Sequence, residues 1–183
     1  MNAPIVVLDA NVLFPSLTRN LLMHFAVSGL IAARWTDEIH AEWTRNLLAK
    51  QPNLLPERVA RTLQYMQNAL PDATITNYEP LVMALKLPDP DDRHVLAAAI
   101  HAEAEALITL NTKDFPEETL RPHGIVAFTP DQLTAKLLLE RPNPTCEAVQ
   151  ALRESFSRPP YSPSEFADRL RGVGLHAAAS CST

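Results

Sequence analysis

Short apolar runs alternate with amphipathic helical segments through residues 4–140, and no hairpin signal such as Asn-Gly joins any two of the runs. Pro4-Ile5-Val6-Val7-Leu8-Asp9 is rich in β-branched residues and ends in an acid; 30–35, 106–110 and 125–128 are further runs of strand length. Runs that are apolar from end to end suit strands covered on both faces, as in parallel sheets. Parallel neighbours need a crossover, and helical segments lie between the runs to supply it. The pattern predicts an α/β fold of three layers, a parallel sheet covered by helices.

The helical segments carry their own start and stop signals. Leu17, Leu21, Leu22 and Phe25 repeat at helical spacing over 16–28, with Gly29 as the stop. Thr36 stands as N-cap to a helix with Ile39, Trp43 and Leu47 on one stripe. A helix over 56–70 has Pro56 in its first turn and Val59, Leu63, Met66 and Leu70 on its apolar face. Residues 73–76 read as a short strand and 80–86 as a short helix. Asp89-Pro90-Asp91-Asp92 opens an alanine-rich helix to about Ala104, its acids suited to the positive N-terminal end. A short helix at 116–121 precedes the last strand, after which Thr129-Pro130-Asp131-Gln132 forms a capping box. Two more helices, 145–157 and 163–171, follow, the second opened by the capping box Ser162-Pro163-Ser164-Glu165.

At 183 residues the chain has the length of one domain with an appendage, since domains average about 100–200 residues. Hydrophobic residues make up 46%, too many for a disordered chain. No apolar run nears the roughly 18 residues of a membrane span. The opening MNAPIVVLDA lacks the basic region of a secretory signal. These features predict a cytoplasmic protein with no membrane partner. Cys146 and Cys181 fall in no zinc spacing and predict no disulfide framework. The net charge of -5 argues against coating nucleic acid by bulk charge, but leaves open binding through a metal. The acid excess lies wholly in residues 1–140, and proline gathers between Pro130 and Pro163. Both shifts divide the chain into a domain over 1–140 and a helical C-terminal extension over 141–183.

In an open parallel sheet, ligands bind beyond the carboxyl ends of the strands. Asp9 ends the first strand, Asn111 and Asp114 follow the strand 106–110, and Asp92 opens a helix that runs back from that same end. Glu42 lies three residues past Ile39 on the helix after the second strand and faces the same crevice. Acids gathered in one crevice repel unless a cation neutralises them. Oxygen-only ligands select a hard cation, Mg²⁺ or Mn²⁺. Such an ion activates water and offsets charge in phosphodiester hydrolysis. The six histidines form no ligand pair at i, i+4 and read as structural or exposed, Arg93 and Lys113 as ordinary solvated charges. Trp35 and Trp43 read as core or interface residues.

Leu8-Asp9-Ala10-Asn11-Val12-Leu13 resembles the opening strand of PIN-domain nucleases. Leu87-Pro88-Asp89-Pro90-Asp91-Asp92-Arg93-His94-Val95-Leu96 is similar to their third acidic segment, and Thr109-Leu110-Asn111-Thr112-Lys113-Asp114-Phe115 to their closing Thr-x-Asn-x-x-Asp-Phe motif. Glu42 falls where the family places a helical glutamate. The match runs in order from about residue 5 to 135. It implies a site of Asp9, Glu42, Asp92 and Asp114 as metal ligands with Asn111 beside them, Mg²⁺ or Mn²⁺ as cofactor, and RNA as substrate. Many small bacterial members are VapC-type toxins held by a cognate antitoxin and usually dimeric, so the resemblance also implies an antitoxin partner and a homodimer. Residues 141–183 resemble the helical extension of one PIN-toxin subgroup. Asn11 stands where the family often has a hydroxyl residue.

Two other readings remain open from the residues alone. A haloacid-dehalogenase-like phosphatase would use Asp9 as nucleophile, but wants a second Asp where Asn11 stands. A PIN scaffold without catalysis would have no need to bear the repulsion of four acids. With those acids set aside, the remaining charge of 1–140 is close to neutral, which predicts weak RNA affinity without metal.

Overall fold

The computed structural model describes residues 2–182. In chain order its elements are β1 (Ile5–Leu8), α1 (Ala10–Leu13), α2 (Ser16–Val27), β2 (Ala32–Arg34), α3 (Asp37–Lys50), α4 (Pro56–Ala69) and α5 (Glu79–Val82). There follow α6 (Arg93–His101), β3 (Ala106–Ile108), α7 (Glu117–Leu120), β4 (Val126–Phe128), α8 (Pro130–Glu140), α9 (Pro142–Ser155), α10 (Pro163–Gly172) and α11 (His176–Ala179). The four strands form one parallel sheet in the order β2-β1-β3-β4. This is the α/β architecture that the alternating pattern predicts.

The strands are shorter than the apolar runs. Strand β3 ends at Ile108; the Thr109 N–H still donates to Phe128 O at 3.0 Å, but the Leu110 N–H turns to the Asn11 side chain. The expected strand at 73–76 is a single bridge, in which Trp35 N–H donates to Ala73 O (3.1 Å) and Ile75 N–H to Trp35 O (2.8 Å). Helix α5 is shorter than the segment 80–86, and α9 begins three residues before the expected 145. Helix α1, a single turn, has no counterpart in the periodicity. Gly29 adopts φ +69° after α2, which lets Leu30 N–H reach back to Phe25 O at 2.9 Å.

Val6, Val7, Leu8, Leu107 and Ile108 are buried at the centre of the core, under Leu21, Leu22 and Phe25 of α2 and Val95, Leu96 and Ala99 of α6. Trp35 and Trp43 belong to the same core. Only Arg141 separates α8 from α9, and its guanidinium donates to Gly29 O at 3.1 Å. Helix α9 packs on α2 and α8, and α11 on α8 and α10, so the C-terminal segment lies against the core. The cysteines correct the sequence reading. Helices α10 and α11 turn the chain back until Cys181 meets Cys146 of α9 as a disulfide, with Cα atoms 4.9 Å apart. Their separation of 35 residues gave no sign of this proximity.

Candidate active site

Strand β1 is central, and the chain leaves it first toward β2 and later returns beside it as β3. The crevice between β1 and β3 is therefore the point where strand order reverses, the usual ligand position in such sheets. Leu8 pairs with Ile108 in register, which sets Asp9 beside Thr109 one step further on. Asp9 is 4% exposed, yet its carboxylate has three donors: Ala10 N–H (2.7 Å), the Thr109 hydroxyl (2.8 Å) and Asn11 Nδ2 (3.0 Å). Asn11 also accepts from Leu110 N–H at 3.0 Å, and Thr109 Oγ1 accepts from Asn111 N–H at 3.1 Å. Burial still holds the Asp9 carboxyl above its ordinary range, against the pull of Thr109 and Ala10, and Glu42 adds to the rise while His94 opposes it.

Asp92 ends a 3₁₀ turn that leads into α6 and is half-buried. Its carboxyl is pushed up to about 7, first by burial and then by the charges of Asp9, Asp89, Asp114 and Glu42. Asp92 thus lies within electrostatic reach of Asp9, Glu42 and Asp114, and Asp9 within reach of Glu42. Asn111 does not join through its side chain, which is exposed and makes no hydrogen bond among the described residues; only its backbone does. Arg93 Nε donates to Pro90 O at 2.9 Å and steadies the turn.

Sequence reasoning named Thr109 and Asn11 within the family motifs without giving either a role, and it set His94 aside. Thr109 and Asn11 orient Asp9, as above. His94, read as structural or exposed, is buried between Glu42 (3.6 Å from Nε2) and Glu38 (3.7 Å from Nδ1). Burial lowers its affinity for a proton, but Glu42, Glu38 and Asp9 outweigh that and raise it. The signal lay in α3, where Glu38 and Glu42 stand one turn apart on one face.

The donor set suits a hard divalent cation. All four acids offer only oxygen, and among the described residues no Lys or Arg forms an ion pair with any of them. Among the described residues no group of three or more acids, histidines or cysteines is arranged to hold a metal ion. The carboxylates of Glu38, Glu42, Asp89 and Asp92 open on a cleft of about 450 Å³.

The family model described as PIN domain matches residues 5–113, a span that holds Asp9, Glu42, Asp92 and Asn111. The chain belongs to the PIN domain family. A second model, the VapC50 C-terminal domain, matches residues 130–181. The curated Mycobacterium tuberculosis protein named "Putative ribonuclease VapC50" is 33% identical over 103 residues, covering 56% of this chain and 60% of that protein. No solved structure matches. PIN membership displaces the phosphatase reading, and Asn11, bonded to Asp9, leaves that reading without its second acid.

Proposed function

We propose that this PIN protein is a Mg²⁺- or Mn²⁺-dependent endoribonuclease, the toxin of a toxin–antitoxin pair. The observation that carries the reading is the gathering of acids about Asp92: burial and the charges of Asp9, Asp89, Asp114 and Glu42 raise its carboxyl, and no Lys or Arg forms an ion pair with it among the described residues, an arrangement that a bound cation relieves. Asp9 and Asp92 would be the principal ligands of the ion, with Glu42 and Asp114 completing the site and Asn111 at its rim. An ion held there would supply a lowered pKa for the attacking water and an offset to charge on the phosphoryl group. Thr109 and Asn11 hold the Asp9 carboxylate in place, and His94 holds Glu42. Water adds to phosphorus and the bond to the 3′ oxygen breaks, leaving a 5′-phosphate and a 3′-hydroxyl.

The chemistry is assigned to residues 1–140, and 141–183 serve to pack against them. A cognate antitoxin, a homodimer and a cytoplasmic setting belong to the same proposal; among the described residues no helix is long and apolar enough to cross a membrane. The test is cleavage of single-stranded RNA with Mg²⁺ or Mn²⁺ and with chelator, for the native protein and for Asp9→Asn and Asp92→Asn. Cleavage is expected to vanish with chelator and in both variants. Unchanged cleavage in both, in preparations free of other nucleases, overturns the assignment.

A further inference from the structure

Two clefts meet at Glu42, and they differ in character. The one already described is acidic: Glu38, Asp89, Asp91 and Asp92 line it beside Glu42, against Arg45 and His94. The other, about 500 Å³, is lined by Phe14, Pro15, Glu42, Asn46, Lys50 and Leu110, with Asn11 at the end nearest Asp9. Its volume falls within the roughly 300–1,000 Å³ of small-ligand sites. Glu42, Asn46 and Lys50 stand at four-residue intervals on α3, so one helix face runs from the acids along the cleft. Opposite that face, Leu110 is 52% exposed, because Thr109 turns inward to Asp9 and Asn11 fixes the Leu110 N–H. Lys50 Nζ lies 5.1 Å from the centre of the Phe14 ring. The Asn46 side chain makes no hydrogen bond among the described residues and is exposed.

Apart from Glu42 and Asp92, which are assigned to the cation, the first flank still presents Glu38, Asp89 and Asp91 against Arg45, a net negative charge that disfavours an RNA strand there. The second flank offers one acid, one lysine, an aromatic ring and an unpaired amide. That is the set which meets an unstacked nucleotide: a ring for the face of the base, an amide for its edge, a cation for its phosphate. We propose that this cleft binds one nucleotide adjacent to the cleaved bond of single-stranded RNA. The base stacks on Phe14 against Leu110, Asn46 reads its edge, and Lys50 leaves the ring for the neighbouring phosphate. The proposal rests on the nuclease reading above. It implies that duplex RNA, whose bases are stacked and paired, is a poor ligand.

The test is equilibrium binding, with Mg²⁺ present, of a fluorescent single-stranded oligoribonucleotide whose phosphorothioate linkages resist cleavage. The full chain is compared with Phe14→Leu, Asn46→Ala and Lys50→Gln, and with Lys136→Gln on α8 as a charge control. Each cleft variant is expected to bind between about fivefold and a hundredfold more weakly, and the control as the native protein does. Asn46 and Lys50 are exposed, so their variants remain informative if Phe14→Leu fails to fold. In a series of oligonucleotides each lacking one base, the native protein loses affinity at one position to which Phe14→Leu is indifferent. Native binding by all three variants, or equal affinity for duplex RNA, overturns the cleft. Cleavage of the unmodified strand is measured alongside. Cleavage with variant-insensitive binding removes the cleft alone; variant-sensitive binding with no cleavage in either metal removes the nuclease reading and keeps the nucleotide site.

Discussion

The hydroxyl of Thr109 donates to Asp9 and accepts from Asn111 N–H, so one buried oxygen joins the end of β1 to the loop after β3. Thr109→Val keeps the branched shape but leaves the Asp9 carboxylate short of a donor. Metal-dependent cleavage is expected to fall about 10–100-fold, as for other groups that orient a metal ligand. Denaturant titration should show a loss of about 1–3 kcal/mol, the cost of an unmet buried polar group. Asp92 gives a pH signature. Its carboxyl titrates at about 7 in the fold against an ordinary 3.8, so between those values the unfolded chain is ionised while the fold holds a proton. The unfolded state then binds fewer protons, and stability falls as pH rises. Asp9 and His94 are also raised, and both act in the same direction. The melting temperature of the metal-free protein is therefore expected to drop from about pH 4 to above 7, and millimolar Mg²⁺ to flatten the drop, because the cation favours the ionised carboxylates. A flat profile without metal contradicts this electrostatic account. Asp9 was legible because an acid at the end of an apolar run is conspicuous. Thr109 stood out only as part of the Thr-x-Asn-x-x-Asp-Phe motif; its bond to Asp9 was not legible, since a threonine closing a strand looks like any β-branched strand residue. His94 was hidden because its partners are carboxylates on another helix rather than a second histidine.

Helices with chemical start signals were the most legible elements. At both Thr129 and Ser162 the side chain accepts from the residue three on, and Gln132 and Glu165 reach back to the cap N–H. Single-turn α1 escaped notice because four residues show no periodicity; its place is set instead by Asp9, whose carboxylate accepts the Ala10 N–H. The other end of α1 rests on Arg19 of α2. Arg19 is 8% exposed, and its guanidinium donates to Leu13 O at 2.7 Å and lies 4.8 Å from the centre of the Trp43 ring on α3. One side chain thus locks α1, α2 and α3 together beside the site. Arg19→Ala removes a charged hydrogen bond and a cation–π contact, worth together about 2–4 kcal/mol. Arg19→Lys is expected to recover little of this, because a single ammonium cannot both reach Leu13 O and lie flat on the indole. Urea titration of the two variants checks the ranking; full rescue by lysine would show that charge alone, not the planar fork, holds the three helices.

At the scale of the whole molecule, the -5 charge is a poor guide to partners until its location is known. The acids assigned to the proposed site surround one crevice, and the flank beside it carries Lys50, so on the proposed function local charge rather than the total would govern how RNA approaches. Packing of the C-terminal segment was less legible. Its helices could be read from caps and periodicity, but periodicity says nothing of which face of α2 receives α9, and spacing says nothing of where Cys181 lands. Cys146 and Cys181 close a loop that contains α10 and α11, while Asp131 of α8 accepts the Ala177 N–H at 2.7 Å and ties the start of α11 from a second direction. A cross-link over 35 residues removes loop-closure entropy from the unfolded chain worth about 3–4 kcal/mol. Oxidised protein is therefore expected to melt well above protein treated with reductant, and Cys146→Ser to match the reduced form. None of the candidate site residues lies on α8 through α11, so RNA cleavage at 25 °C should be the same in all three. A loss of cleavage on reduction, with the fold intact by circular dichroism, would instead mean that the C-terminal helices position the site and do more than cover the core.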